Sequence, residues 1–117
     1  MVSIHTLGDM YVPFNMEQIF KRRADALGTS GKLVQRAMRG ITHCDFTLAE
    51  QEQAFADMVA WEQTGTKPLG DDVLTPSVVA DANYGCKFSR APRADDSAFI
   101  RGFRASTCPA GSASPNF

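Results

Sequence analysis

The stretch Lys32-Leu33-Val34-Gln35-Arg36-Ala37-Met38-Arg39-Gly40-Ile41-Thr42-His43-Cys44-Asp45-Phe46-Thr47-Leu48-Ala49-Glu50 decides how the chain is read. Residues 32–39 read as a strand that Gly40 ends, although their poor alternation of apolar and polar residues leaves a helix as an alternative. Thr47-Leu48-Ala49-Glu50 is a capping box, in which hydroxyl and carboxylate each satisfy a backbone N–H at the start of a helix. Between strand and helix lies a short loop carrying His43, one of only two histidines in the chain. In open parallel α/β sheets, functional groups gather at the carboxyl ends of strands, so a base belongs in this position.

Upstream, Val2-Ser3-Ile4-His5-Thr6-Leu7 alternates apolar and polar side chains and runs into Gly8-Asp9, so it predicts a strand delivering the chain into a turn. Pro13 discourages helix before it, and Asn15 is the expected N-cap of a helix ending at Gly28. Met16, Ile19, Phe20, Ala24 and Leu27 form its apolar stripe, while Lys21-Arg22-Arg23 and Asp25 read as its solvated face. Downstream of the capping box, the helix is expected to bury Leu48, Ala54, Phe55, Met58, Val59 and Trp61, and to stop at Gly65 before Pro68. The series is β-α-β-α, which builds parallel sheet. Two parallel strands cannot cover both faces of two apolar helices, so the sequence under-provides for a self-contained fold.

From Thr66 onward the periodicity is lost, and proline and glycine punctuate about fifty residues, long for a loop in a compact domain. Val73-Leu74 and Val78-Val79 are expected to dock part of this tail, Phe99 to Phe103 to form a short strand, and Ala110 to Phe117 to fray. The organisation is therefore residues 1–68 as an α/β core piece and residues 69–117 as an irregular, partly docked extension.

The chain has 117 residues, 44% of them hydrophobic, and a formal net charge of -1. That charge hides three unlike segments. Residues 1–43 carry six basic and three acidic side chains, residues 44–72 one and seven, and residues 73–117 five and three. The acidic middle reads as the solvated face of the second helix. No basic stripe interleaved with aromatics points to nucleic acid, and no apolar run approaches the roughly 18 residues of a membrane span. Cys44, Cys86 and Cys108 do not form a metal set, and no cofactor motif occurs. Cys86 and Cys108 are candidates for a disulfide pinning the tail if the compartment is oxidising, which is compatible with a secreted parent. Cys44 reads as a buried small residue near the site; a thiol nucleophile there would face a base on its own neighbour, whose Cβ points elsewhere.

Ile4-His5-Thr6-Leu7-Gly8-Asp9-Met10-Tyr11-Val12-Pro13 and Gln35 to Thr47 with its His-Cys-x-Phe loop, followed by Trp61 to Pro68 with a Gly-x-x-Pro exit, resemble the C-terminal part of α/β-hydrolase fold enzymes, bacterial esterases in particular. The resemblance covers about residues 2–88. It implies Asp9 as the acid and His43 as the general base of a Ser-His-Asp triad, in the chain order of that fold. Asp45 then reads as a further helix-start charge and His5 as structural. The Gly-x-Ser-x-Gly nucleophile elbow and the oxyanion hole occur nowhere in the chain. The resemblance thus implies a C-terminal hydrolase fragment whose Met1 replaces an internal position, acting in its parent on a small-molecule ester or acyl substrate and inactive alone. The alternative is a non-catalytic interaction fragment that pairs with a separate N-terminal hydrolase chain through its open strand edge.

Overall fold

In the computed structural model, which describes residues 1–104 and Cys108, two strands run parallel side by side: β1 (Val2–Thr6) and β2 (Val34–Met38). They pair in register from Val2 opposite Val34 to Thr6 opposite Met38. The ladder continues at both ends, where Val34 N–H donates to Met1 O at 3.0 Å and Leu7 N–H to Met38 O at 2.9 Å. Between the strands runs the crossover helix α1 (Asn15–Ala26), followed by a short 3₁₀ turn at Ser30–Lys32. Helix α2 (Leu48–Thr64) comes next, then two short helices, α3 (Pro76–Val79) and α4 (Ala98–Arg104). The result is a mixed α/β arrangement with helices on both faces of a small parallel sheet.

Strand β2 is buried at every residue, although it carries Gln35 and Arg36. Successive side chains on a strand point to opposite faces, so these two polar groups are met by different helices. On one face, Gln35 Nε2 donates to the Glu17 carboxylate of α1 at 2.6 Å and to Glu17 O at 2.8 Å. On the other, Arg36 Nη2 lies 2.6 Å from Asp57 Oδ2 of α2, Nε and Nη2 donate to Leu69 O, and the guanidinium stacks 4.4 Å from the centroid of Phe88. A strand with both faces covered shows no alternation, which is why its sequence left a helix open.

The outer edge of β2 is covered by the tail. Asp71 N–H donates to Gln35 O at 2.8 Å, Asp71 Oδ2 accepts Ala37 N–H at 2.9 Å, and Ser89 Oγ accepts Arg39 N–H at 2.7 Å. The residues past 68 therefore close the sheet on that side. Val73, Tyr84, Cys86 and Phe88 are buried in this wrap, and Cys86 is disulfide-bonded to Cys108.

Several expectations are corrected. Asn15 is the first helical residue rather than the N-cap; Phe14 holds the cap position without a side-chain bond. The start is instead secured by Met16 and Glu17 N–H donating to Pro13 O and Phe14 O. Phe99 to Phe103 lies in α4 rather than in a strand: the rings of Phe99 and Phe103, four residues apart, meet in a tilted pair with centroids 4.6 Å apart, and Ser97 Oγ accepts Ile100 N–H as the helix opens. The apolar stripes are largely uncovered. Met16 and Phe20 of α1, Leu27 at its C-cap, and Phe55 and Met58 of α2 are exposed, while Ala24, Ala54 and Glu50 supply the buried positions. Thr47 and Glu50 do form both bonds of the capping box, and Gly65 closes α2 in the left-handed region at φ 73°. The expectation for Ala110 to Phe117 lies outside the described residues.

Closing a loop across 22 residues, the Cys86–Cys108 bond restricts the unfolded chain by roughly 3 kcal/mol in the chain-entropy account. The variant Cys86→Ser/Cys108→Ser is expected to lose about that much in urea unfolding, and reductant should then leave its midpoint unchanged.

Candidate functional site

Both strands end at the same level, and their exit loops touch backbone to backbone. Gly8 N–H donates to Gly40 O at 2.9 Å, and a Cβ at Gly8 would sit 2.7 Å from Gly40 O and from Ile41 Cα. Only glycine allows that approach, which brings Asp9 and His43 together.

Asp9 follows immediately, its N–H donating to Thr6 O at 3.2 Å. Its Oδ1 accepts the N–H groups of Tyr11 and Val12, each at 2.9 Å, so the carboxylate is fixed by the turn it opens. Its Oδ2 is 2.6 Å from His43 Nδ1. The Asp9 side chain is 5% exposed and that of His43 47%, so a shielded acid backs a solvent-facing imidazole. The Tyr11 and His43 rings meet edge-to-face with centroids 5.9 Å apart.

The loop that carries His43 is tied on both sides of it. Thr6 Oγ1 donates to Thr42 O at 2.7 Å, and Asp45 Oδ2 accepts Ile41 N–H at 3.0 Å. Between them, Cys44 adopts φ 58°, the left-handed conformation that reverses the chain. Cys44 is exposed and free, which corrects the expectation of a buried small residue. A residue at the apex of a reversed loop has no neighbouring element to cover it. Asp45 is corrected as well: it is buried and serves the loop rather than the helix start, while Thr47 and Glu50 hold the helix. His5 is buried beside Phe14 and takes no part in the dyad.

An ionised carboxylate only accepts hydrogen bonds, so the proton in the 2.6 Å contact belongs to His43 Nδ1. The neutral ring then carries its lone pair on Nε2, facing away from Asp9. Burial alone would raise the Asp9 carboxyl, but the Val12 N–H, the His43 ring and the Tyr11 N–H outweigh it and lower it to about 2. Such a pair can take a proton at Nε2 and hold the resulting imidazolium against a carboxylate that stays ionised. Among the described residues, no serine, threonine or cysteine side chain hydrogen-bonds Nε2, and no group of three or more His, Cys, Asp and Glu could hold a metal ion. Neither the cavity of about 560 Å³ between Lys21, Gln35 and Lys67 nor that of about 330 Å³ beside Tyr84 and Lys87 includes Asp9 or His43.

Arg104 of α4 also belongs to this region and had no sequence signal. Fully buried, it donates from Nη1 to Asp45 O at 3.3 Å and from Nη2 to Glu50 Oε1. Burial pushes the Glu50 carboxyl above its ordinary range, against the opposing pull of Arg104 and of the Arg90 and Thr47 N–H groups.

Because the folded-state value of Asp9 lies below its ordinary 3.8, the stability it contributes is present above that value and lost as pH falls through about 2. Carboxyl ¹³C titration should place the Asp9 midpoint near 2. In His43→Ala the midpoint should move upward, because the ring's hydrogen bond and charge are lost while burial still opposes ionisation.

No protein-family model, no curated protein and no solved structure matches this chain, so a functional reading rests on the geometry of the dyad.

Proposed function

We propose that Asp9 and His43 are the acid and the general base of a serine-hydrolase triad, in an α/β-hydrolase type of sheet, acting on a small-molecule ester or related acyl substrate. The observation that carries this reading is the 2.6 Å bond from His43 Nδ1 to a carboxylate already fixed by two backbone N–H groups. Asp9 spends one oxygen on its own turn and presents the other to His43, the arrangement a triad acid needs. Their order, acid before base, and their position at the carboxyl ends of parallel strands agree with that chemistry. The serine and the oxyanion donors are supplied, on this reading, by sequence beyond these 117 residues, since no Gly-x-Ser-x-Gly occurs among them. The chain alone is then inactive.

One observation favours a second reading, a non-catalytic fragment that pairs with a separate hydrolase chain. The two edges of the sheet are treated differently: the tail caps β2, whereas the outward backbone groups of Val2 and Ile4 meet no third strand among the described residues. An uncapped edge beside exposed apolar helix faces is a template for a further strand. Both readings require more sheet; they differ in whether the dyad turns over substrate.

Expression together with the coding sequence directly upstream distinguishes them. On the first reading, a fluorophosphonate labels one serine of the longer product and nothing in the 117-residue chain. Asp9→Asn then lowers kcat by roughly 10⁴-fold, and His43→Ala by at least as much. A stable complex with a separate chain that hydrolyses no activated ester supports the second reading. Turnover by the 117-residue chain that His43→Ala abolishes would contradict the missing nucleophile, and turnover indifferent to His43→Ala would contradict the dyad's role.

A further inference from the structure

We propose that Arg104, delivered by the tail, is a positioning residue that sets the His43 loop, so that the C-terminal extension is part of the site's machinery. This rests on the reading of Asp9 and His43 as an acid–base pair.

The argument starts from where the guanidinium is spent. Its Nη1 donates to the backbone oxygen of Asp45, two residues after His43, and lies 3.9 Å from Asp45 Oδ1. The other oxygen of that carboxylate accepts the N–H of Ile41, two residues before His43. One cation thus bonds the backbone, and lies in ion-pair range of the carboxylate, of the residue that closes the loop around the base. Through Nη2 the same guanidinium holds Glu50 Oε1, while Glu50 Oε2 accepts Thr47 N–H. Loop and helix start are referred to a single rigid fork.

Space confirms how tightly the loop is seated on it. A Cβ at Gly40 would fall 2.1 Å from Asp45 Oδ1 and 2.8 Å from Arg104 Nη1. Energetics favours positioning over simple anchoring. Replacing a buried ion pair by apolar side chains is often neutral or stabilising, so holding the tail down does not require a guanidinium. What the fork adds is direction. The tail is fixed close to this point by the Cys86–Cys108 bond, four residues beyond Arg104.

The test uses the 117-residue chain and two variants. Arg104→Lys keeps the cation and loses the fork; Arg104→Met/Glu50→Gln removes charge from both partners so that no carboxylate of α2 is left buried and unpaired. Each is measured well below its own unfolding midpoint by the low-field proton resonance of His43 Nδ1–H and by hydrogen exchange at the Ile41 amide. Positioning predicts that the resonance is broadened or lost and that Ile41 exchange accelerates about tenfold or more in folded protein. A role in stability alone predicts a shifted unfolding midpoint with both signals as in the parent chain, and that result in either folded variant overturns the proposal. Should the double variant fail to fold, Arg104→Lys decides. Absence of the low-field resonance from the parent chain would instead overturn the acid–base reading, while Ile41 exchange still reports whether Arg104 governs the loop.

Discussion

Full burial of a strand that carries a glutamine and an arginine is the constraint on which the remaining structure depends. Unpaired polar groups in such a position cost several times what a satisfied hydrogen bond returns, so every neighbour of β2 must bring a partner. Helix α1 brings Glu17 to Gln35, α2 brings Asp57 to Arg36, and the tail brings Leu69 O, Asp71 and Ser89 to the side chains and the outer edge. The irregular composition of the tail follows from this duty. A segment that must present a carbonyl, a carboxylate and a hydroxyl at successive points along a strand edge cannot also keep a helical or strand period.

The same sheet fixes the site. Parallel strands in register end together, and two glycines, Gly8 and Gly40, let their exit loops meet without side chains between them. Just past that contact Asp9 and His43 reach across to each other. A few bonds then define the dyad: two turn N–H groups orient the carboxylate, Thr6 and Asp45 hold the loop, and Arg104 bonds the Asp45 backbone oxygen from the far end of the described chain. The acid is shielded and the imidazole is open, which is the order needed for a base that must meet a group approaching from solvent.

Legibility in the sequence followed the range of the forces. The capping box at Thr47 and Glu50, the left-handed stop at Gly65 and the Gly8-Asp9 turn were readable because neighbouring residues alone determine them. The pairing of Asp9 with His43 was readable as an expectation because strand ends in a parallel sheet converge. Which helix faces are buried was not, since that depends on what packs there: the period of Phe20 or Phe55 says nothing about whether a partner is present. Phe99 to Phe103 reads as strand because its residues favour one, and the Ser97 bond and the contact of the two rings decide for helix. Arg104 carried no signal at all, because an arginine in a polar tail gives no hint of two buried acceptors more than fifty residues away in sequence.

The claim at the centre of this account is that Asp9 holds His43 with its proton on Nδ1 and its lone pair on Nε2. Long-range ¹H–¹⁵N correlation spectra of the neutral His43 ring read this directly. The account predicts a protonated Nδ1 and an unprotonated Nε2, with that preference lost in Asp9→Asn. A ring protonated on Nε2, or a tautomer unchanged by Asp9→Asn, would contradict it.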